Sequence, residues 1–231
     1  MRALVPTLAF LLALAAAPAD AADPSQITEA ENVMFMTDHL KGVNAPATLR
    51  YSLRHGGSME KAFDDTAEVV VSRGKAEGAK TVSARFLSGE RRLELPEVEA
   101  ARGNPVLMYF LERDIREMKR LTGAKNQNYF QKRIRLALAE GPEVKAVTIE
   151  LDGKQVPARE IRISPYLDDP NKEKFEKYTG KYYIFTLSEA VPGQIFRAES
   201  VIPDKEAAGR PPLVEEVLTY AGATRGSAKK K

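Results

Sequence analysis

Two stretches, Ser58-Met59-Glu60-Lys61 and Ser72-Arg73-Gly74-Lys75, match S-x-x-K. On a helix, that spacing lets a lysine amine activate the serine for acyl transfer, as in penicillin-recognising acylases. Neither match opens a helical pattern, and the companion S-D-N and K-T-G patterns are absent. Residues 74–81, GKAEGAKT, come close to a phosphate-cradling P-loop, but Ala79 stands where that loop needs glycine, so the stretch reads as a turn. His39 and His55 are the only histidines, and the chain has no cysteine. Without H-E-x-x-H or thiolates they form no recognisable zinc site. His39 instead suits the end of a helix, where an imidazole favours the dipole. Asp168-Asp169-Pro170-Asn171 lacks the alternating ligands and the glycine of a calcium loop and reads as a turn. The sequence thus nominates no catalytic residue, no metal site and no cofactor, and it supports binding better than enzymatic catalysis.

Two further features could serve binding. FEKYTGKYYIF, residues 175–185, interleaves aromatics with lysines. In an exported chain this reads as a strand that presents its rings to a core or cavity while the lysines reach outward. Asp114 is the sharper anomaly. At 100° per residue it falls between Phe110 and Met118, inside an apolar arc of about 160° formed with Leu107, Met108, Leu111, Ile115 and Leu121. An isolated carboxylate there is costly. The expectation is a surface helix with an incompletely covered stripe, Asp114 reaching water or Arg133; the alternative is a polar contact with a ligand head group.

The elements that would hold these residues can be read from periodicity. Thr28-Glu29-Ala30-Glu31 has the form of a capping box and predicts a first helix extending towards Gly42. Alternation at period two then predicts strands around Leu49–Leu53, Ala67–Val71 and Val82–Phe86, and a shorter one at Leu93–Leu95. Their polar opposite faces imply an antiparallel sheet. Asn104 and Pro105 start a second helix that Gly123 ends, and a third runs from about Asn128 to Ala139. Val147–Leu151 leads through Asp152-Gly153, a hairpin signal, into a partner strand through Ile163. Further strands are expected at Lys181–Leu187, Ile195–Ile202 and Leu213–Tyr220, for eight or nine in all.

The chain opens MRALVPTLAFLLALAAAPADA, an early arginine, an apolar run and an A-x-A site, which is the pattern of a secretory signal peptide over residues 1–21. Its apolar run is shorter than the roughly 20 residues that a spanning helix needs. The expectation is one soluble periplasmic domain over residues 22–221, with a helical insertion at about 104–140 and a disordered basic tail at 222–231. The absence of cysteine excludes disulfides, thiolate chemistry and lipid attachment at an N-terminal cysteine. A net charge of +3, partly from Lys229, Lys230 and Lys231, predicts no nucleic-acid partner.

An initial helix, an antiparallel meander, a helical insertion opening Gly103-Asn104-Pro105-Val106-Leu107-Met108 and a second meander resemble the LolA/LolB superfamily of periplasmic lipoprotein and lipid carriers. That resemblance implies an α+β, mostly β fold: a strongly curved antiparallel sheet, an incomplete β-barrel, with an N-terminal helix and a mid-chain helical lid. It implies lipid or acylated protein cargo and, for delivery, an envelope membrane protein as partner. The residues expected at the apolar ligand are Leu107, Leu111, Ile115 and Met118 from the lid, with Tyr183, Phe185 and Phe196 from later strands and Asp114 as a polar contact. The competing expectation is a non-catalytic module that docks onto an envelope protein through strand edges or its helical pair, with a filled core.

Overall fold

The computed structural model describes residues 26–93, 95–204 and 210–226; the leader-like residues 1–21 and the last five, 227–231, lie outside them. Eight antiparallel strands form one sheet: β1 (Ala47–Gly56), β2 (Phe63–Arg73), β3 (Lys80–Phe86), β4 (Val144–Leu151), β5 (Lys154–Ile163), β6 (Tyr182–Leu187), β7 (Ile195–Ile202) and β8 (Val214–Arg225). The order β3-β2-β1-β8-β7-β6-β5-β4 leaves β3 and β4 as unjoined edges, so the barrel is open. The two meanders meet where β1 pairs with β8. Asp152 and Gly153, both at positive φ, make the tight β4–β5 turn that their sequence signals.

One face of the sheet carries the core. Leu49 pairs with Val69, Tyr51 with Ala67 and Val71 with Val82. Ile161 pairs with Phe185, and Ala198 with Leu218. These side chains are all buried. Three helices pack on this face or beside it: α1 (Glu29–Glu31), continuing as a wider π-helical turn through Asn32–Met36, α2 (Val106–Thr122) and α3 (Asn128–Ala139). Gly123 ends α2 in the left-handed conformation.

Three expectations need correction. The first helix stops at Met36, because Thr37 turns extended and gives its N–H and hydroxyl to the Asn32 carbonyl. Leu93 and Leu95 belong to no strand: single bridges join Phe86 to Leu93 and Val82 to Val98, around Pro96, which has no N–H for a ladder. The tail does not begin at Gly222. Residues 222–225 continue β8 against β1, and Gly226 donates to the Pro46 carbonyl at 2.9 Å.

Asn104 explains the Gly103-Asn104-Pro105 opening of α2. Its side-chain oxygen accepts from the free Val106 N–H at 3.2 Å, while its amide donates to the Tyr51 hydroxyl at 2.7 Å and the Gly193 carbonyl at 2.9 Å. One buried amide thus ties α2 to β1 and to the turn before β7. Gly193 sits at φ +79°, where an added Cβ would lie 2.5 Å from Leu49 and 2.7 Å from the Asn104 amide.

Candidate functional site

The helices meet along three stripes. On α2, Met108, Leu111, Glu112 and Ile115 recur at the spacing of one helical face. On α3, Gln131, Ile134, Arg135 and Leu138 do the same, and Ile27, Glu31, Phe35 and Met36 line the N-terminal helix. The stripes surround an open groove of about 620 Å³, which Leu95 also lines. No strand residue lines it. The groove exists because the apolar arc of α2 is too broad for the sheet alone. One flank, with Leu107, Phe110 and Met118, is buried away from the groove; the other, with exposed Met108 and the buried Leu111 and Ile115, lines it.

Ile27, Phe35, Met36 and Met108 are 62%, 37%, 57% and 49% exposed, and together they make half of the exposed large hydrophobics among the described residues. These four side chains converge on one concavity instead of being scattered singly over the surface. The walls are fixed. Thr28 and Glu31 complete the capping box, and the Thr28 hydroxyl also donates to the Leu138 carbonyl at the end of α3 at 3.0 Å. The Nε2 of His39 lies 2.8 Å from the Val33 carbonyl, and its Nδ1 accepts from the Asn104 N–H at 3.2 Å. His39 is therefore no charged helix end. It is a buried neutral strut between the N-terminal helix and α2, and burial lowers its pKa from the ordinary 6.5.

The rim of the groove carries three charges. Glu31 is held by Thr28, and Glu112 accepts from Arg116 at 2.9 Å. Arg135 makes no hydrogen bond or ion pair among the described residues. In the wall, Tyr109 is 92% buried by its 8% exposure, and its hydroxyl is buried without a hydrogen-bond partner.

The residues expected from sequence are divided by the fold. Leu111 and Ile115 line the groove. Leu107, Met118, Tyr183 and Phe185 are packed in the core between α2 and the sheet. Phe196 belongs to a small second cluster with Ile149, Ala158 and Val191. Asp114 reaches neither water nor Arg133. It is 3% exposed, and accepts from Lys181 Nζ at 2.5 Å and from the Tyr183 hydroxyl at 2.6 Å. Burial, and then the Asp114 charge, hold the Tyr183 hydroxyl well above the ordinary phenol pKa, so it stays a donor. Lys181 is thus inward, against the expectation that these lysines reach solvent. Arg133 instead meets Asp169 at 3.0 Å and the Pro165 carbonyl. Periodicity placed α2 and α3 well enough to show the groove stripes, but Phe35, Met36 and Ile134 needed the relative placement of three helices.

A second polar cluster joins His55 to Glu216 at 3.0 Å and Arg113 to the same carboxylate at 2.9 Å, all buried or nearly so, with Phe63 stacked on the imidazole. No serine or threonine hydrogen-bonds to the His55 ring among the described residues. The S-x-x-K serines stand apart, Ser58 in an exposed loop and Ser72 in β2.

No protein-family model matches the chain, and no curated protein matches it. Among solved structures it is similar to the lipoprotein LppX of Mycobacterium tuberculosis, at 12% identity and a TM-score of 0.33, over 79% of this chain and 89% of that one. LprF from Mycobacterium bovis aligns at 10% identity and a TM-score of 0.32, over 84% and 93%. A LolA superfamily protein from Nitrosomonas europaea aligns at 8% and 0.22, over 86% and 94%.

Proposed function

We propose that the protein is an exported, non-catalytic binder or carrier of a hydrophobic ligand, an acyl chain of a lipid or of an acylated protein, held in the groove between the three helices. The leader-like residues 1–21 support a periplasmic location, and no helix among the described residues is long and apolar enough to cross a membrane. The observation that carries the reading is the convergence of Ile27, Phe35, Met36 and Met108, exposed and apolar, on one concavity of about 620 Å³. That volume lies within the roughly 300–1,000 Å³ of small-molecule sites. Each methylene buried there contributes about 0.8 kcal/mol, or about fourfold in affinity, so chain length alone supplies binding without a polar motif.

In this reading α2 is a wall of the site. Its inner flank seals the core, and the ligand lies on its outer flank. The buried core between α2 and the sheet also fits a second reading, in which the groove receives an apolar segment of an envelope protein. Mass spectrometry of lipids extracted from protein purified from its own envelope without detergent separates the two. The first reading expects a defined long-chain lipid, and a Met36→Lys, Met108→Lys variant that folds normally yet carries none. Lipid-free protein that forms one dominant crosslink to an envelope protein in cells overturns it in favour of the second.

A further inference from the structure

Besides the exposed Gln131 amide, two polar side chains lining the groove have no partner among the described residues, and both can donate. Tyr109 stands in the wall with its hydroxyl buried and unbonded, although Phe86 and the neighbouring apolar side chains offer it nothing to donate to. A buried hydroxyl left in this state is uncommon, because it has lost water without gaining a replacement. Arg135 stands at the rim, exposed, with five N–H donors and no hydrogen-bond or ion-pair partner among the described residues. The acids nearby do not answer for it, since Glu31 is bound into the Thr28 capping box and Glu112 into its pair with Arg116. An apolar trough edged by an unpaired guanidinium, with an unpartnered phenol in its wall, matches a molecule with a hydrocarbon body and a negatively charged, oxygen-bearing end.

From this, and resting on the acyl-binding reading above, we infer that the groove selects anionic single-chain amphiphiles: Arg135 pairs with the carboxylate or phosphate head, and the Tyr109 hydroxyl donates to an oxygen at the head of the chain. Arg135 then sets specificity rather than bulk affinity, because the chain is held by the apolar stripes. A guanidinium meets either oxyanion through paired N–H donors, so carboxylate and phosphate heads are both recognised, and direct comparison tells which fits better.

The test uses the delipidated mature protein and isothermal titration calorimetry with hexadecanoate, hexadecyl phosphate and hexadecanol, each below its aggregation concentration. At least one of the two anions is expected to bind about tenfold or more tightly than hexadecanol, the scale of one charge-assisted contact. Arg135→Gln should abolish that advantage and leave hexadecanol unchanged. Tyr109→Phe should leave the melting temperature of the free protein unchanged or raised, since it removes an unsatisfied group, while weakening the preferred anion several-fold. The inference is overturned, with the groove reading intact, if all three ligands bind equally or if Arg135→Gln weakens hexadecanol as much as the anions. It is overturned also if Tyr109→Phe destabilises the free protein, which would give the hydroxyl a structural partner. Failure of all three ligands to bind overturns both readings.

Discussion

Asp114 and Lys181 show how a single buried charge constrains the rest of the molecule. With side chains 3% and 1% exposed and only 2.5 Å apart, neither has water to fall back on. Removing one partner of such a pair typically costs about 3–5 kcal/mol, whereas replacing both with apolar groups of similar size is often neutral or stabilising. Asp114→Ala should therefore lower the free energy of unfolding by about 3–5 kcal/mol in a denaturant titration. Asp114→Leu combined with Lys181→Met should recover most of the loss. A single variant that costs under about 1 kcal/mol would place the pair among surface-like contacts. The cost of isolating Asp114 in an apolar arc is legible in the sequence. Its partner was harder to find. Lys181 shares strand parity with Tyr183, Phe185 and Leu187, which face the core, but long cations usually lead outward. Parity was the better guide here, because a buried carboxylate needs a buried cation more than the lysine needs water.

At the scale of elements, the groove depends on how the N-terminal helix is held against α2, and His39 is the strut. Its two hydrogen bonds assign the neutral tautomer, with the proton on Nε2 facing the Val33 carbonyl and Nδ1 receiving the Asn104 N–H. Protonation would set a second donor against that N–H. Burial lowers the folded pKa most strongly; the Val33 carbonyl and Asp38, which is paired with Arg102, oppose it, and Arg159 adds to it. With the folded value below the unfolded 6.5, the unfolded chain binds more protons as pH falls. The stability contributed by neutral His39 is therefore complete above pH 6.5 and is lost as pH drops from there through the folded value. The expected result is a melting temperature that declines faster below pH 6.5 in the natural protein than in a His39→Gln variant, which lacks the titrating group. Parallel curves would remove His39 from this role. Sequence order and hairpin turns delivered nearly every strand, because alternation and Asp152-Gly153 are local signals. The length of the first helix was not local: Thr37, by turning extended, cut it short.

At the scale of the whole molecule, the open eight-stranded sheet with helices at the start and in the middle was readable from the pattern of elements, since each meander pairs consecutive strands. The location of the apolar hollow was not. Periodicity says that α2 has a broad apolar arc, but not which part of the arc the sheet takes and which part α1 and α3 leave open. Leu107 and Leu111 are indistinguishable by residue type and both are buried, yet only Leu111 also lines the groove. The central claim is that a hydrocarbon chain lies among three helices and not against the strands. The measurement that addresses it most directly is photo-crosslinking with a diazirine-bearing hexadecanoate followed by peptide mass spectrometry. Adducts confined to the segments 27–36, 108–115 and 131–138 are the predicted result. Adducts at Tyr183, Phe185 or Phe196, with those helical segments unlabelled, would contradict it.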